Sequence, residues 1–173
     1  MSKESIDTKK ITFLSLMVGY SLILYIIEGF IPNPMIAVFP GAKLGLSNII
    51  TLVALMTFGF KDTFIILTVR IILSTIFTGP ISYLMFSIGG GYLSLILMYL
   101  FNKIKGFSII GISIIGAIGH NIGQLIVASI IVKNIAMTTY LPFMLITSLV
   151  TGIFVGIVSK FTTPYVKSRT KNR

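Results

Sequence analysis

Thr63-Phe64-Ile65-Ile66-Leu67-Thr68-Val69-Arg70-Ile71-Ile72-Leu73-Ser74-Thr75-Ile76-Phe77-Thr78 is apolar enough to cross a bilayer, yet it carries an arginine near its middle. A cation at that depth costs several kcal/mol unless it faces a protein interior, a partner or water. Two more polar clusters sit at similar positions in neighbouring apolar segments: Lys43-Leu44-Gly45-Leu46-Ser47-Asn48 and His120-Asn121-Ile122-Gly123-Gln124. Three such clusters among oily helices are most simply read as lining a polar site inside a helix bundle.

The rest of the chain agrees with a membrane bundle. Of its 173 residues, 55% are hydrophobic and only 10% are charged, and the mean hydropathy is +1.01. A soluble domain needs far more surface charge, and a disordered chain far less apolar content. At about 20 residues per crossing, the length suits one all-α domain spanning 1–173, with no room for a soluble catalytic domain. Cysteine is absent, and one histidine with four carboxylates cannot supply a familiar zinc site, so neither metal nor cofactor is expected.

Six transmembrane helices are expected, over about 11–30, 43–58, 62–78, 81–101, 107–132 and 141–161. The breaks fall at Ile31-Pro32-Asn33-Pro34, Gly59-Phe60-Lys61 and Gly79-Pro80, and Pro142 stands in a first turn that tolerates it. The net charge of +10 is distributed in a way that argues against nucleic acid. Lys3, Lys9 and Lys10, then Lys61, then Lys103 and Lys105, and finally Lys160, Lys167, Arg169, Lys171 and Arg173 recur at alternate loops. The positive-inside rule then places both termini in the cytoplasm, with short tails at about 1–10 and 163–173, and predicts a multi-pass protein of the bacterial cytoplasmic membrane. The polar N-terminus is followed by an apolar run too long for a signal-peptide core, so that run is expected to stay as the first span.

Each polar cluster admits a bland reading beside a functional one. Arg70 could pair with Asp62 or Glu28, but Asp62 lies two turns away on the same helix. Ser74, one turn beyond Arg70, extends its face. Lys43 could be an interfacial anchor, yet Gly41 precedes it and Ser47 and Asn48 follow at a helix start suited to an anion. His120 could be a hydrogen-bonded structural histidine; Gln124, four residues on, shares its face, and Asn121 also needs a partner in lipid. Gly89-Gly90-Gly91 serves either close helix packing or approach of backbone to a ligand. Gly116, Gly119 and Gly123 in the fifth span, and Gly152 and Gly156 in the sixth, read first as intramolecular packing notches. The clusters fall toward the outer half of the bundle, and the cations outnumber nearby carboxylates, so the expected ligand is anionic or polar-headed.

The segments Glu28…Ile31-Pro32-Asn33-Pro34, Pro40-Gly41-Ala42-Lys43-Leu44-Gly45-Leu46-Ser47-Asn48-Ile49, Phe86-Ser87-Ile88-Gly89-Gly90 and Gly116-Ala117…His120-Asn121-Ile122-Gly123-Gln124 resemble the bacterial family named heptaprenyl diphosphate synthase component I, also called the Gx transporter family. The resemblance covers nearly the whole chain. It implies a protein similar to the substrate-binding S components of energy-coupling factor transporters, six-helix bundles that bind a vitamin-like molecule near the external face. It also implies a transmembrane coupling subunit and two ATPase subunits as partners, with the small-residue notch at Ser15 and Gly19 as docking surface. That notch differs from the family's usual alanine pair.

The expectation is therefore a non-enzymatic membrane subunit that binds a small, anionic organic molecule for uptake, such as a quinone or isoprenoid precursor. Lys43 and Arg70 would hold its anionic group, Ser47, Asn48, Ser74, His120, Asn121 and Gln124 would orient polar atoms, and the 31–42 loop would form a lid. Ser87 joins this set through the resemblance. The alternative is a non-catalytic subunit that recruits or regulates a soluble prenyl diphosphate synthase. Prenyl transfer itself needs aspartate-rich motifs that hold magnesium against diphosphate; Asp7 and Asp62 are the chain's only aspartates.

Overall fold

A computed structural model of the chain describes residues 3–32, 43–78 and 81–171. Its order is α1 (Lys3–Glu28), α2 (Asn48–Phe58), α3 (Phe60–Thr78), α4 (Ile81–Asn102), α5 (Ile109–Val132), a 3-10 helix (Ile135–Tyr140) and α6 (Leu141–Lys171). The loop expected to act as a lid, apart from its first two residues, and the Gly79-Pro80 stop lie outside the described residues.

All-α architecture is as the apolar runs require, but the six expected crossings are not equivalent. Four helical stretches, Thr8–Glu28, Ile81–Asn102, Ile109–Val132 and Ile135–Thr170, are long and apolar enough to cross a membrane, which marks the chain as a membrane protein. The helix α3 has nearly the length, about 28 Å at 1.5 Å per residue, but it includes Lys61, Asp62 and Arg70. With 11 residues, α2 extends only about 16 Å, half of a hydrocarbon core.

The short second helix corrects the sequence reading, which started it at Lys43. Residues 43–47 are not helical, because Gly45 takes a φ of +91° and its N–H turns to the Glu28 side chain. Only glycine enters that left-handed region without strain. From Asn48 onward the chain forms a central post: Asn48 through Leu55 are all buried, and α2 touches every other α-helix. Burial on all sides from Asn48 to Leu55 explains why apolar residues recur there without a polar face. Around it, Met17, Val18, Ile49, Val53, Ile66 and Val155 form one core cluster from α1, α2, α3 and α6. Leu52, Leu67, Ile71, Leu95, Met98 and Ile112 form another from α2 to α5.

The ends differ from expectation as well. The sixth helix continues ten residues past the expected Phe161, through Pro164, to Lys171, so residues 163–171 of the segment expected as a C-terminal tail are helical. Proline removes one hydrogen bond of the ladder; beside it the Thr162 and Thr163 hydroxyls bond back to the Val158 and Ser159 carbonyls at 2.8 and 2.7 Å. At the other end, α1 is already helical from Lys3. Lys10 Nζ meets Asp62 Oδ1 at 2.8 Å, which sets the starts of α1 and α3 side by side. Asp62, a candidate partner for Arg70 by sequence, is engaged there instead.

Glycines hold α4, α5 and α6 at close range. Gly89 and Gly123 bring the α4 and α5 backbones into contact, and a Cβ at Gly116 would lie 2.6 Å from Met98 Cγ. On α6, a Cβ at Gly152 would lie 2.6 Å from Ile114 Cα, and one at Gly156 2.7 Å from Ile110 Cα. These notches serve packing within the chain, where small residues let backbones approach.

Candidate functional site

The last turns of α1 supply the frame. Tyr25 and Glu28 are three apart, so they share a face, and both are buried. Glu28 accepts Gly45 N–H through Oε1 at 2.6 Å and Leu46 N–H through Oε2 at 3.0 Å. A carboxylate with both oxygens engaged by backbone amides fixes the 43–47 segment against α1. Lys43 then reaches back: its Nζ donates to the Tyr25 carbonyl at 2.9 Å and stands 3.4 Å from the Tyr25 ring centroid.

Arg70 approaches the same ring, with Cζ 5.4 Å from the centroid. Tyr25 thus serves two cations, whose attraction to an aromatic face is electrostatic. Its hydroxyl lies 3.4 Å from Ser87 Oγ, which ties α1 to α4. Arg70 is only 1% exposed, and its Nε and Nη2 have no hydrogen-bond partner among the described residues. The Nη2 atom lies beside Gly91, where a Cβ would come within 3.7 Å. Ser74 is buried one turn along and bonds the Ile71 carbonyl at 2.9 Å.

The imidazole closes the group from α5. His120 Nε2 lies 2.9 Å from Gln124 Nε2, and with the amide donating, the ring proton belongs on Nδ1. Gly45 and Gly90 make room for the ring: a Cβ at Gly45 would lie 3.3 Å from His120 Cδ2, and one at Gly90 2.8 Å from Nδ1. Asn48, at the start of α2, is 2.9 Å from that same Gly45 Cβ position through Nδ2. Its Oδ1, like Gln124 Oε1, is buried without a partner.

Of the residues proposed from sequence, Lys43, Asn48, Arg70, Ser87, His120 and Gln124 are brought together around Tyr25, Glu28, Gly45, Gly90 and Gly91. Ser47 is buried beside them and precedes α2 without a side-chain cap bond. Asn121 faces elsewhere. Its Nδ2 donates to the Met144 carbonyl at 3.0 Å and Ser148 Oγ at 2.8 Å, so it joins α5 to α6. Ser15 is exposed and the Cβ position of Gly19 has nothing within 4 Å; the notch is open. Tyr25 escaped the sequence reading, although its i, i+3 spacing from Glu28 was a usable signal. A separate apolar groove of about 500 Å³, lined by Ile122, Ile126, Ile130 and Lys133 among others, contains none of these site residues.

Comparison with curated proteins and with solved structures gave no match. A family profile, however, matches residues 17–162, which include every member of the polar cluster. The chain belongs to the family described as heptaprenyl diphosphate synthase component I.

Proposed function

We propose that this protein is a non-enzymatic, substrate-binding membrane subunit that captures a small anionic organic molecule, in the manner of an energy-coupling factor S component. A quinone or isoprenoid precursor is the class to which the family description leads. The observation that carries the reading is Arg70, a cation 1% exposed whose Nε and Nη2 lack partners among the described residues. A buried charge left unpaired is strongly destabilising, and a site that accepts an anion explains why it is kept. Asn48 Oδ1 and Gln124 Oε1 supply acceptors nearby, suited to a ligand that also carries donors. The alternate-loop cations, with the cluster near the end of α1 opposite Lys10, support a site that faces outward.

The test is native mass spectrometry of the protein extracted gently from its own membranes. A small molecule retained by the wild type and lost in Arg70→Ala and Lys43→Ala supports the reading. Equal retention in both variants, or none in the wild type under any extraction, refutes it.

A second reading rests on the family description, which implies a partner synthase component: the chain would recruit or regulate a soluble prenyl diphosphate synthase. Affinity purification separates the two. A coupling subunit with two ATPases supports uptake, whereas a soluble prenyl synthase supports recruitment.

A further inference from the structure

Resting on that ligand-binding reading, we infer that the group received by Arg70 is a single carboxylate, not a phosphate or diphosphate. Nε and Nη2 form the side-on edge of the guanidinium, two parallel N–H donors whose spacing suits a pair of oxygens on a carboxylate or on a phosphate, so the choice between those anions rests on charge. Both are buried and without a partner among the described residues, with the Tyr25 ring 5.4 Å from Cζ and Nη2 within 3.7 Å of where a Gly91 Cβ would stand.

Charge then discriminates among anions that could use the fork. Within the cluster the charged side chains are Glu28, Lys43 and Arg70. The Glu28 oxygens accept from Gly45 and Leu46, and the Lys43 ammonium spends one of its donors on the Tyr25 carbonyl while resting on the Tyr25 ring. Lys43 and Glu28 balance, so one positive charge is left, that of Arg70. A monoanion neutralises it. A diphosphate brings about two further negative charges, which need magnesium or more cations to be stable away from water. Among the described residues no three His, Asp or Glu side chains gather to hold a metal ion. The same count disfavours a prenyl diphosphate and favours an acid whose remaining body is apolar or carries hydroxyls for Asn48 and Gln124.

The experiment is ¹⁵N NMR of arginine-labelled full-length protein in lipid nanodiscs. Arg169 and Arg173, the other arginines of the chain, serve as internal controls, and Arg70→Lys assigns the Arg70 signal. The probes are acetate, benzoate, inorganic phosphate and pyrophosphate. The expected result is a saturable shift of the Arg70 Nε–H with a carboxylate, at concentrations at least about tenfold below any phosphate response, because the surplus charge of a phosphate stays uncompensated beside one buried cation. Arg70→Lys, which keeps the charge and loses the fork, should weaken carboxylate-dependent thermal stabilisation by about tenfold or more. A phosphate or pyrophosphate response at equal or lower concentration overturns the inference, as does the absence of any carboxylate response. A retained native molecule that lacks a carboxylate overturns the inference alone; loss of all retention overturns the binding reading with it.

Discussion

The Glu28 carboxylate and the Gly45 amide are joined by a 2.6 Å hydrogen bond across seventeen residues of chain. That bond, with its companion from Leu46, determines where the second helix starts and so where Lys43 and Asn48 stand. Glu28 is 4% exposed and its bond to Gly45 is buried, so the Gly45 amide has no water as an alternative. Glu28→Gln keeps the shape but leaves one oxygen where two were needed, and its amide donors face backbone N–H groups. The expected loss is about 1–3 kcal/mol, the cost of a buried unsatisfied donor, read as lower thermal stability in detergent. Glu28→Ala should lose more. A Glu28→Gln variant as stable as wild type would contradict the clamp.

Gly45→Ala should damage the site through two separate effects. Its φ of +91° disfavours any side chain, and the new Cβ would lie 2.9 Å from Asn48 Nδ2. Gly106 is the control: φ is +102°, but nothing lies within 4 Å of its Cβ position. Backbone strain alone costs about 1–2 kcal/mol, so Gly106→Ala should show that loss of stability with ligand retention intact. Gly45→Ala should show the same loss and also lose the ligand.

Asn121 and Gln124 predict opposite phenotypes. Asn121→Ala removes the donor to Met144 and Ser148 and should destabilise α5 against α6 by about 1–3 kcal/mol. Ligand retention should survive. Gln124→Ala frees His120 Nε2 and removes an unpaired acceptor, so ligand retention should fall with a smaller change in stability. Thermal unfolding and native mass spectrometry on the same samples check both.

Two glycine substitutions separate packing from docking. Gly123→Ala drives a methyl group into the Gly89 backbone, and overpacking of this kind costs about 1–3 kcal/mol or more. The Cβ of Gly19→Leu has nothing within 4 Å, so the variant should leave thermal stability unchanged. If the Ser15/Gly19 notch receives a coupling subunit, the same variant should no longer co-purify with it.

A linear pattern encodes apolar runs and their breaks, and those at Gly59 and near Pro32 were enough for an all-helical membrane chain. The lone cation in Thr63–Thr78 marked Arg70 from the sequence alone. The polar character of 43–48 and 120–124 was equally legible, because burying such groups in lipid without partners is too costly to be incidental. Helical periodicity says which residues share a face, but it is silent about which neighbour that face meets. Packing alone turned Asn121 toward α6, set Tyr25 beside two cations, and enclosed Asn48–Leu55 of α2, whereas the contact of Gln124 with His120, four residues apart on one helix, was legible in the sequence. The shortening of α2 is of the same kind: it depends on a carboxylate seventeen residues upstream of Gly45 capturing that amide. No local propensity contains a contact of that range, since it exists only once α1 and the segment before α2 are packed together.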